Sequence, residues 1–207
     1  MHDPNLQSSI TLCVLQPGYL PWLGFFDQMR RSDIFVLYDD VQYDKHGWRN
    51  RNRIKTPKGP HWLTVPVRHK GLGWPRINEV EIDNQTVWGK KHIGTIRQFY
   101  AKAPYLAQYL PMLEDRLLRP WTLLVDLDLS LIDLMCEWLQ LKRDVIRASS
   151  LGIEGDRSDR LLALCRHFGA TRYLSGDAAK TYLDRELFAQ NGIEVEWQGF
   201  QHPVYPQ

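Results

Sequence analysis

Short apolar runs alternate with longer periodic segments along this chain, and turn-forming residues punctuate them. Residues 9–15 (SITLCVL) make a compact β-branched run closed by Gln16-Pro17-Gly18, which predicts a buried strand and a turn. Pro21 is placed to open a helix at its first position, and Leu23, Phe26 and Met29 recur at helical spacing up to the basic pair Arg30-Arg31. Residues 33–38 (DIFVLY) read as a second buried strand. About 20 residues separate the two strands, room enough for a parallel, right-handed βαβ unit.

A polar stretch over 39–58 follows. Residues 61–68 and 76–83 then predict an antiparallel pair joined by the Gly-rich segment 70–75. Helices are expected over 84–100, capped by Asp83 or Asn84, and over 105–118. A third opens at Pro120 and carries Leu124, Leu127, Leu131, Leu134 and Trp138 on one face. A strand at 145–148, a helix at 158–168 with Gly169 as its C-cap, a strand at 172–174, a short helix to Phe188 and a strand at 193–198 complete the chain. This order predicts an α/β fold: a mainly parallel, Rossmann-like sheet of about five strands, helices on both faces, and an inserted antiparallel β pair with helices. With 207 residues the expectation is a single domain over 1–207, its insertion lying at roughly 46–140.

In such sheets ligands bind beyond the carboxyl ends of the strands, which singles out three loops. The first supplies Gln16, Tyr19 and Trp22, with Gly18 and Gly24 permitting tight turns and a helix N-terminus suited to an anion. The second supplies Asp39 and Asp40, either of which can act as a base, bind Mg²⁺ or hold sugar hydroxyls, followed by Gln42 and Tyr43. The third is Ser175-Gly176-Asp177, a short anion-binding turn between strand and helix. Residues 48–55 (WRNRNRIK) add a distinctive alternation. If extended, Arg49, Arg51, Arg53 and Lys55 share one cationic face and Trp48, Asn50, Asn52 and Ile54 the other. On the 84–100 helix Trp88, His92, Ile96 and Tyr100 share a face, which makes His92 either a catalytic base or a hydrogen-bonded core residue.

Composition narrows the classes. A formal net charge of +2 is too small to point to nucleic acid. The three cysteines, Cys13, Cys136 and Cys165, form no C-x-x-C pair and read as buried thiols rather than as a disulfide framework or zinc site. The scattered His61, His69 and His202 show no metal-ligand spacing, so no metal site is identified among them. The polar N-terminus lacks the apolar core of a signal peptide, and the greasiest stretch, 121–134, is interrupted by Asp126, Asp128 and Asp133. A cytoplasmic protein with no membrane span is the expectation.

The segments QPGYLPWLGFF, DDVQY, WRNRNRIK and LTVPV resemble the opening of the WbqC-like family, and the later W-x3-H-x3-I-x3-Y-x-K-A-P, YLSG and terminal PVYPQ resemble its remainder. The resemblance implies association with O-antigen and other surface-polysaccharide gene clusters. A weaker similarity links strand, Gly-containing loop, helix, strand and DDVQY to pantothenate synthetase and the wider H-x-G-H nucleotidyltransferase-like group. Trp22-Leu23-Gly24-Phe25 stands near the H-x-G-H position with aromatics in place of both histidines.

Together these readings favour a transferase of glycan biosynthesis acting on a nucleotide-linked sugar or related anion. Its candidate catalytic residues are Asp39, Asp40 and His92. The candidate binding residues are Gln16, Tyr19, Trp22, Gln42, Tyr43, Trp48, Asn50, Arg51, Asn52, Lys55, Ser175 and Gly176. A non-catalytic sugar-nucleotide module and an ATP-using ligase or nucleotidyltransferase-like enzyme are the alternatives. The expected partner is a small anion such as a nucleotide sugar, acyl-CoA or ATP; homo-oligomerisation stays open, and no cofactor is identified.

Overall fold

The computed structural model describes residues 9–68, 73 and 75–204. Most of the glycine-rich turn expected at 70–75, and residues 205–207 of the terminal motif, lie outside the described residues. The chain forms two compact units. The first comprises residues 9–15, 22–38 and 143–203; the second comprises 16–21, the described residues of 39–142, and 204.

The first unit is built on a five-stranded sheet in the order β5-β2-β1-β6-β7, every neighbouring pair parallel. Its strands are β1 (Thr11–Leu15), β2 (Ile34–Leu37), β5 (Val145–Arg147), β6 (Arg172–Ser175) and β7 (Glu194–Trp197). The inner strands β1, β2 and β6 are almost continuously buried, as a parallel sheet covered on both faces requires. Helices α1 (Leu23–Arg31), α5 (Arg157–His167) and α6 (Arg185–Gln190) belong to this unit. The expected start of α1 at Pro21 moves inward, with Trp22 as its N-cap. Gly169 takes φ +64 just past α5, the left-handed conformation that lets the helix stop there.

A buried amide network fastens α1 within this unit. Gln28 Nε2 donates to Gln198 Oε1 at 2.8 Å, and Gln198 Nε2 donates to the Gly24 carbonyl at 2.7 Å and to Asp27 Oδ2 at 3.1 Å. Arg31 pairs with Asp27 and Glu196. Cys13 and Cys165 are buried and Cys136 half-buried, all three unbridged. Burial raises each thiol, Cys136 to about 11 and Cys165 to about 12, so they stay protonated and inert.

The second unit holds the hairpin β3 (Arg51–Thr56) and β4 (Gly59–Thr64) and helices α2 (Trp88–Phe99), α3 (Leu106–Leu117) and α4 (Leu124–Trp138). The antiparallel pair exists, but with different partners from those the sequence suggested. β4 pairs with the Arg/Asn strip rather than with 76–83. The turn is responsible: Gly59 sits at φ +105, which closes a tight reversal from Thr56 that only glycine enters cheaply. Residues 76–83 instead make a short 3₁₀ turn, Ile77–Glu79, and isolated bridges such as Val67 to Ile82. Neither Asp83 nor Asn84 caps α2. Asp83 accepts the Gln85 N–H, while Asn84 accepts from the Trp88 indole and donates to the Trp121 carbonyl.

Leu124, Leu127, Leu131 and Leu134 of α4, Leu110, Leu113 and Leu117 of α3, and Trp88, Ile93 and Ile96 of α2 form this unit's core. The helical periodicities read from the sequence are therefore the buried faces. Tyr19, delivered by the hexapeptide 16–21, is fully buried in the same core.

Candidate functional site

The chemistry-bearing residues of the second unit fall into a buried cluster and an exposed face. The cluster begins with Tyr19, whose hydroxyl is 2.9 Å from His92 Nδ1. His92 also bonds the Thr64 backbone, and its burial lowers the imidazole to about 4. The ring is therefore neutral near pH 7, one nitrogen donating to the Thr64 carbonyl and Nδ1 accepting from the Tyr19 phenol. Trp88 meets His92 edge-on, with centroids 5.5 Å apart.

The backbone that carries Tyr19 is clamped from the 48–52 segment. Tyr19 N–H donates to the Arg49 carbonyl at 3.0 Å and to that of Trp48 at 3.2 Å. Asn52 Nδ2 donates to the carbonyls of Tyr19 and Leu20, the latter residue at φ +48. Gly18 is needed here, because a Cβ at that position would stand 3.0 Å from the Trp48 carbonyl. Arg49 Nη1 donates to the Pro17 carbonyl at 2.8 Å. Asn50 Nδ2 donates to the Val65 carbonyl, and Val65 N–H returns a bond to Asn50 O. These two asparagines, which the alternation presented as a ligand surface, thus place their Nδ2 groups on backbone carbonyls, while Asn50 Oδ1 is buried without a hydrogen-bond partner.

Arg49 does not join the cationic strip. β3 begins only at Arg51, so strand alternation does not reach Arg49 or Trp48. The Arg49 Nε is buried and has no hydrogen-bond partner, and burial lowers the guanidinium. Facing it electrostatically is Asp128 of α4, wholly buried with both carboxyl oxygens lacking a hydrogen bond. Burial raises Asp128 well above the usual carboxylate range, and the nearby Arg49 only partly opposes this. The environment therefore favours the protonated acid over the carboxylate. Burial is the larger cause that raises Tyr19 and Tyr43, the latter to about 12, and Asp128 adds to it once ionised.

The sequence treated Asp128 only as an interruption of a greasy stretch. The signal that finds it is positional: it lies four residues after Leu124 and three before Leu131, on the apolar stripe itself.

The second loop lies beside this cluster in sequence. Asp39 is buried, and its carbonyl accepts the Asn78 N–H at 2.8 Å. Asp40 is half-buried, Gln42 is exposed and bridged to Arg76, and Tyr43 is buried with its N–H on the Pro75 carbonyl. Gln16 is exposed.

The exposed face is the outer side of the hairpin. Cross-strand partners Arg51 with Thr64, Arg53 with Trp62 and Lys55 with Pro60 share it. The opposite side turns Leu63 and Ile54 toward the unit's core. Trp48 packs against Trp62 with centroids 5.1 Å apart and the rings tilted by 37°. Arg51 lies 4.5 Å over the Trp62 ring, and Arg53 lies 5.2 Å from Trp48 and 5.3 Å from Trp62. Arg51 is further steadied by bonds to the Gly47 and His46 carbonyls. Such layering of indole and guanidinium keeps the cations ordered on an open surface.

Trp22, Ser175 and Gly176 belong to the first unit. Trp22 is largely exposed, with Phe200 and His202 at 5.1 and 5.5 Å. Ser175 ends β6 and is buried, and Gly176 precedes the 3₁₀ turn Asp177–Thr181. Among the described residues no group of three His, Cys, Asp or Glu gathers as a metal site, and no helix is long and apolar enough to cross a membrane.

A family model described as the WbqC-like protein family matches residues 16–207. The chain belongs to the WbqC-like family. It is 36% identical over 187 residues to the uncharacterized protein Rv1507c of Mycobacterium tuberculosis, covering 90% of this chain and 80% of that one. No solved structure matches significantly. The WbqC-like match takes in every residue of the buried cluster and of the hairpin face.

Proposed function

We propose that the protein is a group-transfer enzyme of surface-glycan assembly that acts on a phosphate-bearing sugar, nucleotide-linked or related. The observation that carries the reading is the outer face of the hairpin, where Arg51, Arg53 and Lys55 stand at alternate positions of one strand beside two exposed indoles. Alternate strand residues are about 6.8 Å apart, so neighbouring cations can each meet a different phosphoryl group. Asp40, less enclosed than Asp39, is the base that takes a proton from an attacking hydroxyl or amine, and Asp39 shapes its loop through the bond to Asn78. Tyr19 and His92 hold the first loop in place rather than touching substrate. Gln16 and Gln42, both exposed, are the polar groups left for a sugar.

Thermal-shift titration with nucleotide sugars, acyl-CoAs and ATP tests the reading. A ligand at a hundred times its Kd adds about 2.7 kcal/mol of stability. Asp40→Asn is expected to keep the shift and lose transfer. Loss of neither points to a sugar-nucleotide-binding module instead, and no shift with any nucleotide sugar removes the nucleotide-linked form of the proposal.

A further inference from the structure

We propose that the outer face of the β3–β4 hairpin docks on an anionic lipid bilayer. The inference rests on reading this face as a phosphate-binding surface and adds lipid headgroups to the phosphates that it meets. Charge is the first support. Residues 45–78 hold nine of the chain's 26 Lys and Arg and none of its 24 Asp and Glu, leaving 17 cations against 24 acids elsewhere. Four of these cations, Arg51, Arg53, Lys55 and Lys58, lie on the hairpin with no acid in the same segment, and such a local basic face is attracted to an anionic plane.

The aromatic residues are the second support. Trp48 and Trp62 are 44% and 41% exposed, whereas the core Trp88 is 6% exposed. Indoles ringed by Arg and Lys suit the headgroup layer of a bilayer, where an apolar body and a polar N–H are both accommodated. The third support separates a bilayer from nucleic acid. Base recognition by tryptophan needs an open ring face. Here the two indoles lie against each other at a 37° tilt, with Arg51 and Arg53 over the Trp62 ring and Arg53 over that of Trp48, so guanidinium groups already occupy ring surface that a base would stack on. Lys58, exposed at the hairpin tip, extends the basic face beyond Lys55.

The test is co-sedimentation of the full chain with vesicles of phosphatidylcholine alone and with 30% phosphatidylglycerol, at 50 and 300 mM salt, with Trp emission as a second readout. Binding to the anionic vesicles only, weakened by salt and accompanied by a blue shift, is expected. Arg53→Gln with Lys55→Gln should weaken it about 30-fold, near fivefold per cation, with an unchanged far-UV spectrum showing that the variant folds. Trp62→Ser should abolish most of the blue shift.

Failure to bind anionic vesicles overturns the inference, as does equal binding by the charge variant or preferential binding of a single-stranded oligonucleotide with Trp quenching. The two proposals fail separately. A thermal shift from soluble nucleotide sugars without vesicle binding sinks this inference and leaves the transferase reading standing. Vesicle binding without any such shift leaves this inference standing and removes the nucleotide-linked form of the transferase reading.

Discussion

Replacing Asp128 by asparagine isolates the cost of a buried acid. The side chain has no exposed surface, and neither of its oxygens is hydrogen-bonded. Burial holds its ionisation well above the ordinary 3.8, so between the two values the folded state keeps a proton that the unfolded state has lost. The sign follows: whatever Asp128 contributes to stability is fully present below 3.8 and is lost as pH rises toward the folded value. The loss runs at about 1.4 kcal/mol per pH unit over that window. Above pH 4 the wild type should thus fall steadily behind Asp128→Asn at that slope, levelling off where the folded acid itself ionises. Asn is nearly isosteric and equally short of partners, so the two proteins should be close to equal at pH 4. Urea denaturation of both proteins from pH 4 to pH 8 measures the difference directly. A difference independent of pH, or a variant that is less stable at pH 7, would show that the carboxylate is ionised and paired with Arg49, and the argument would fail.

Three further outcomes are expected. Tyr19→Phe strands a buried His92 acceptor and should cost about 1–3 kcal/mol in denaturant unfolding. His92 itself, lowered from 6.5 to about 4, gives stability that is whole above pH 6.5 and declines as pH falls toward 4. NMR titration should show its ring resonances unmoved between pH 8 and pH 5, and a midpoint near 6.5 would refute its burial. Gly18→Ala brings a methyl group to 3.0 Å from the Trp48 carbonyl and should lower the melting temperature, while Gly94→Ala, with open space around it, should not.

Periodicity carried most of the fold. Runs such as Leu12–Leu15 and Ile34–Leu37 are apolar on both faces because the parallel sheet buries both, and α4's leucines recur because one side of it is core. The hairpin partner was harder. Strand 51–56 is rich in Arg and Asn, so no hydrophobic alternation marks it; its pairing is set by the reversal at Gly59 and by Leu63 and Ile54 on the inner side. At the site, Arg51, Arg53 and Lys55 followed the strand rule and share a face, but Arg49 and Trp48 precede the strand and escape it. The backbone carbonyls that the Nδ2 groups of Asn50 and Asn52 bond are set by tertiary packing and are not visible in the sequence. Asp128 was passed over because a lone acid in a helix is ordinarily solvated, and only tertiary packing reveals that it is not.

Chain order adds a consequence for anyone trimming this protein. The path leaves the parallel sheet after Leu15, runs six residues that plant Tyr19 among the helices of the other unit, and returns at Trp22. A fragment spanning 39–142 would thus carry a phenol-sized hole and an unanswered imidazole at its centre. Neither unit can be excised as a continuous piece, and insertions or deletions within that hexapeptide would be felt in both.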